Sequence, residues 1–120
     1  TRSAYATGDS EADLARAGWY AGNSGSATHE VCTAAAKPWG LCDLHGNVRE
    51  WAWDWYGSSQ STEVDNPAGP TWGVCRALRN GSWRVFPENA RSASWTWSQP
   101  FYVDSDLGFR LVLPVPASQP

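Results

Sequence analysis

The chain has 120 residues, nine of them tryptophan, and a net charge of −3 with an isoelectric point near 5.2. That length suits a single domain, and the acidic balance argues against a nucleic-acid or anionic-membrane partner. A composition 42% hydrophobic and 13% aromatic excludes disorder, and the chain has no apolar run long enough to form a membrane-spanning helix.

The first ten residues, TRSAYATGDS, lack the charged-then-apolar pattern of a signal peptide. A helix is expected from Ser10 through Ala17, capped by Ser10 or Asp9 and stopped at Gly18. Gly22 to Gly25 and Pro38-Trp39-Gly40 read as turns. The clearest strand is 47–56, where Trp51, Trp53 and Trp55 alternate with Ala52, Asp54 and Tyr56, which puts three indoles on one face. Residues 57–73 read as a long loop. Cys75 to Leu78 and Gly81 to Val85 are expected as short strands around an Asn80-Gly81 turn. Ala90 to Trp97 is a further strand candidate, and Leu107 to Leu113 a final apolar strand that ends at Pro114 and Pro116. Residues 114–120 read as a tail. Irregular connections of this length usually serve a binding site or a bound ion.

Cys32, Cys42 and Cys75 cannot all pair and form no C-x-x-C unit. The favoured reading makes them small buried hydrophobes; a Cys32–Cys42 bridge is the alternative. Of nine basic residues only Lys37 is lysine. Arg76, Arg79, Arg91 and Arg110 lie in or beside tryptophan-rich segments, as expected for guanidinium groups that stack on indole and fork onto carboxylates. Glu50 and Asp54 are the candidate partners.

The stretch Trp39-Gly-Leu-Cys-Asp-Leu-His-Gly-Asn-Val-Arg-Glu-Trp-Ala-Trp-Asp-Trp-Tyr56 resembles the signature of the formylglycine-generating enzyme, or sulfatase-modifying factor, family: G-L-Y-D-M-x-G-N-V-W-E-W-x-x-D-W-Y. Arg76-Ala-Leu-Arg-Asn-Gly-Ser-Trp83 is similar to its R-V-x-R-G-G-S-W block. Arg91-Ser-Ala93 and Leu107-Gly-Phe-Arg-Leu-Val112 follow in order, the latter resembling N-x-G-F-R-x-V. The resemblance implies an α+β, C-type-lectin-like fold with short strands, long loops and little helix. It also implies that residues 1–113 are the C-terminal part of a family domain, so the expected partner is another protein chain or the missing N-terminal half. On that reading Trp39, Trp51, Trp55 and Trp83 are core.

Formylglycine formation in the family uses copper(I) held by two thiolates, soft ligands suited to that ion. The stretch that carries them, here Arg84 to Ala93, has no cysteine, so no copper is expected. His29 and His45 stand on different segments, too few for the iron site of related sulfoxide synthases. By resemblance, calcium would bind Asp43 and Glu50 through carboxylates and Gly46 and Val48 through carbonyls, the oxygen-rich environment calcium requires. The alternative is that both carboxylates cap turns or pair with arginines such as Arg49 or Arg79. In family members that act as binding modules, including the variable proteins of diversity-generating retroelements, the segments after G-S-W and R-S-A form the ligand surface. Here these offer Arg84, Phe86, Trp95, Trp97, Phe101 and Tyr102, a residue mix suited to recognition. The alternative puts Trp95 and Trp97 in the core. The expected function is a non-catalytic binding or structural module; the runner-up is an oxidative enzyme completed by residues outside this chain.

Overall fold

The computed structural model of the chain describes residues 3–34, 40–57 and 69–113. The expected helix forms as α1, Glu11–Ala17, with Ser10 as its N-cap. Ser10 Oγ accepts from the Asp13 amide while the Asp13 carboxylate accepts from the Ser10 amide, so two otherwise orphaned donors are satisfied. Leu14 and Ala17 form its buried face. Gly18 then turns straight into β1, Gly18–Trp19, which pairs in parallel with β2, His45–Gly46. The backbones approach so closely that a Cβ on Gly18 would lie 1.6 Å from the His45 carbonyl oxygen, and one on Gly46 1.9 Å from that of Trp19. Gly46 and Asn47 both take positive φ, which turns the chain sharply after β2.

The main sheet has four strands in the order β5-β4-β3-β6: β3 is Arg49–Trp55, β4 Arg76–Arg79, β5 Trp95–Ser98 and β6 Leu107–Gly108. β4 lies antiparallel between β3 and β5, and β6 runs parallel to β3. A register shift between Trp51 and Trp55 interrupts the alternation in β3. The expectation of three indoles on one face is therefore corrected: Trp51 and Trp55 are half-buried while Trp53 is 86% exposed. The Arg76 guanidinium lies 3.5 Å from the Trp55 ring centroid and 5.1 Å from that of Trp53, and bonds the Trp53 carbonyl.

Three further strand expectations shorten. After Asn80 and Gly81, both at positive φ, residues 81–85 form a turn in place of a strand, because Trp83 donates to the Asn47 carbonyl and Val85 to that of Ser82. Residues 90–94 likewise turn, after a short 3-10 segment at Pro87–Asn89, and only Trp95–Ser98 is strand. The final strand stops at Gly108, and Leu111, Val112 and Leu113 are exposed. Most of the expected 57–73 loop, Trp39 and the 114–120 tail lie outside the described residues.

The core is small. Tyr5, Leu14, Tyr20 and Ala90 form one buried cluster beneath α1, and Ala77 and Leu78 are buried on β4. His45, 1% exposed, ties this core together: its Nδ1 donates to the Ala90 carbonyl and its Nε2 accepts from the Ala6 amide. Trp51, Trp55 and Trp83 are half-buried flanks of the core rather than its centre, as suits side chains too large to be covered fully. Cys32 and Cys42 form a disulfide, so the buried-hydrophobe reading fails for that pair; Cys75 is a half-buried free thiol.

Candidate functional site

The turn after β2 builds the first part of the site. Asn47 is buried and held in a left-handed conformation by reciprocal bonds with His29: its Oδ1 accepts from the His29 amide and its Nδ2 donates to the His29 carbonyl. The His29 ring stacks on Trp19, 3.7 Å between centroids, and its Nε2 donates to the Ser24 carbonyl. Both histidines thus serve local structure.

That turn, with the disulfide opposite, shapes a pocket lined by Asp43, Gly46, Val48 and Glu50 together with Arg110 and Phe109. All four residues expected to hold calcium therefore border one space. Asp43 is 8% exposed; its Oδ2 accepts from the Cys32 amide and its Oδ1 is buried with no hydrogen-bond partner. An orphaned carboxylate oxygen fits a cation. Arg110 competes for the same place: it donates to both oxygens of Glu50 at 2.6 Å and to the carbonyls of Cys42 and Asp43 at 3.2 Å. A bound cation would share Glu50 with that guanidinium or displace it. Among the described residues no group of three or more His, Cys, Asp or Glu side chains converges as a metal site.

Neither Arg49 nor Arg79 is the partner of Glu50. Arg49 forks instead onto the fully buried Asp106, Nη2 to Oδ1 at 2.7 Å and Nε to Oδ2 at 3.1 Å, while Ser82 Oγ donates to Oδ2 at 2.6 Å. Arg84 joins at 3.1 Å from Asp106 and 2.5 Å from Asp104. The Tyr102 hydroxyl donates to Asp104 at 2.7 Å, and with Arg84 it holds that carboxyl down from 3.8 to about 2. The same bond raises the Tyr102 phenol. This network escaped the sequence reading. Its signal was present all the same, since Arg49 and Asp106 stand where the quoted patterns have Trp and Asn.

The residues of the expected ligand surface make two sets of contacts. Trp95 and Trp97 sit on edge strand β5 and both approach Tyr56, with ring centroids 4.7 and 5.8 Å away. Arg84 and Tyr102 meet through Asp104. Phe86 and Phe101 are exposed on the flanking segments, Phe101 by 79%. The alternative that Trp95 and Trp97 are core is corrected, since both are exposed.

The domain family model for sulfatase-modifying factor enzyme 1-like domains matches residues 1–115. The chain belongs to this family. Its α+β architecture, with one short helix, short strands and long irregular connections, is the expected one. The solved structure of Treponema denticola variable protein 1 superposes with a TM-score of 0.85 at 36% identity, over 91% of this chain and 40% of that one. PvdO from Pseudomonas aeruginosa shares the fold at a TM-score of 0.69 and 24% identity, over 80% of this chain and 38% of that one. The serine/threonine-protein kinase Pkn1 of Chlamydia trachomatis is 36% identical over 88% of this chain, and mouse formylglycine-generating enzyme 37% identical over 60%. The chain spans 17% and 20% of the lengths of those two proteins. Within a sulfatase-modifying-factor domain, a copper(I) site would need two free thiolates. Here two of the three cysteines are bridged, and the stretch from Arg84 to Ala93 has none, so the residues of this chain do not fit that ion.

Proposed function

We propose that this sulfatase-modifying-factor domain is a non-catalytic, C-type-lectin-like binding module that engages another protein through Arg84, Phe86, Trp95, Trp97, Phe101 and Tyr102. The observation that carries the reading is the set of large aromatic side chains left open on β5 and on the segments either side of it. Aromatic anchors with a nearby arginine are the groups that supply most of the energy at protein interfaces. Likeness to a protein named a variable protein supports the assignment, and so does the lack of a free cysteine pair. The occupant is a second polypeptide.

A photocrosslinking residue at Phe101 tests this in the protein that carries the domain. It should capture one discrete partner, and the same residue at Val31, exposed just before the disulfide loop, should not. Conversion of a cysteine-containing peptide to formylglycine by the chain with copper and O2, followed by mass spectrometry, would refute the non-catalytic reading.

Calcium is proposed as a structural ion at Asp43, Gly46, Val48 and Glu50, supported by the orphaned Asp43 Oδ1. Calcium should raise the melting temperature of the wild type, magnesium should do so less, and Asp43→Asn should abolish the shift. An unchanged wild-type melting temperature in millimolar calcium would rule the ion out.

A further inference from the structure

β5 ends one side of the main sheet and pairs with β4 in an unbroken antiparallel register, Trp95 opposite Arg79 through Ser98 opposite Arg76. In an edge strand half of the backbone N–H and C=O groups point away from the sheet. Among the described residues no hydrogen bond outside that ladder reaches the backbone of Trp95–Ser98. Trp95, Thr96 and Trp97 are all exposed, so both faces of the strand are open beside the edge. Proteins usually guard such an edge with a charge, a proline, a bulge or a very short strand. β5, Trp-Thr-Trp-Ser, has no charge, proline or bulge, whereas β6 on the opposite side is only two residues long. Open backbone groups in this array are a template for one more strand.

Register and charge define the guest. Trp95 pairs with Arg79 and Trp97 with Ala77, so Arg79, Trp95 and Trp97 share one sheet face. On that face the Tyr56 ring meets both indoles. Arg79 is exposed, its guanidinium 5.9 Å from the Trp95 ring centroid, and among the described residues it forms no ion pair. Glu50, opposite Arg79 across the β3–β4 ladder, has both oxygens engaged by Arg110. A strand added beyond β5 therefore meets two indoles and one unmatched cation, and a glutamate laid across Trp95 faces that cation. A second copy of the chain, paired edge to edge, brings only Trp, Thr and Ser to the seam and no carboxylate.

We infer that the β5 edge takes up an extended segment of the partner protein by β-strand addition, with apolar side chains at alternate positions against Trp95 and Trp97 and a carboxylate paired with Arg79. The inference rests on the protein-binding reading above and adds the conformation and charge of the segment bound.

The probe is the peptide acetyl-Thr-Val-Thr-Glu-Thr-Val-amide, titrated into the 120-residue chain and followed by two-dimensional NMR. Saturable shifts centred on the amides of Trp95–Ser98 are expected, with a Kd on the order of 1 mM. Hydrogen exchange of the outward-facing β5 amides should slow as the peptide binds. The same peptide N-methylated at every residue keeps its side chains, loses its donors and should not bind. Glutamine in place of its glutamate should weaken binding about threefold, as for an exposed ion pair. Arg79→Gln should weaken the glutamate peptide by the same factor and leave the glutamine peptide unchanged. Absence of binding, equal binding of the N-methylated peptide, or equal affinity of the glutamate and glutamine peptides would each overturn the assignment. Dimerisation of the chain that protects the same amides would also overturn it, in favour of a second copy. A partner captured at Phe101 while the probe fails would refute strand addition alone and leave the protein-binding reading standing.

Discussion

Arg49 and Asp106 depart together from the family patterns, from Trp and Asn, and the structure brings them into one buried, forked ion pair. Removing one partner of such a pair strands the other charge, so Asp106→Asn should destabilise the fold by about 3 kcal/mol in chemical denaturation. The double variant Arg49→Trp/Asp106→Asn returns both positions to the family pattern and should lose less than the sum of the single losses. Additive losses would show that the two positions are not coupled. Asp104 predicts a pH dependence of definite sign. Its folded pKa of about 2 lies below its ordinary 3.8, so its ionised contacts with Tyr102 and Arg84 stabilise the native state above pH 4. That contribution fades as pH falls towards 2. A carboxyl carbon NMR titration should find the low value for Asp104, and Tyr102→Phe should move it upward.

At the scale of elements, the parts written in local chemistry were legible and the parts set by distant contacts were not. Ser10 and Gly18 announce α1, and the helix runs as expected. Ser10→Ala should therefore cost about 1 kcal/mol, read as a lower denaturation midpoint with an unchanged slope. Asn80-Gly81 was correctly seen as a turn pair, but the strand expected after it is absent because Trp83 bonds Asn47, a residue 36 positions earlier whose approach no local pattern encodes. The alternation of Trp51, Trp53 and Trp55 was real in sequence and lost in space, because the ladder slips between Trp51 and Trp55. The four residues proposed for calcium stand close in sequence and border one pocket, whereas the grip of Arg110 on Glu50 joins segments 60 residues apart. Gly46 was legible too, since only glycine fits both its positive φ and the Trp19 carbonyl. Gly46→Ala should disrupt the β1–β2 contact and lose the His29–Asn47 amide pairing, seen as faster hydrogen exchange at His29.

At the scale of the molecule, the core of the described residues is supplemented by a covalent link. Among the described residues Tyr5, Leu14, Tyr20 and Ala90 make one buried cluster, and the Cys32–Cys42 bridge closes a separation of 10 residues beside the Asp43 pocket. Loop-closure entropy for a ring of that size is worth about 3 kcal/mol, so the double serine variant should unfold at correspondingly lower denaturant concentration. The same small core leaves every described indole at least partly in contact with solvent, with Trp53 and Trp72 the most open. Excited indoles in water emit at longer wavelength than indoles sealed in hydrocarbon, and dissolved quenchers can reach them. The native chain should therefore emit at longer wavelength than a protein whose indoles are all sealed in its core. A partner that settles over β5 would announce itself as a blue shift and as protection from iodide, without any label.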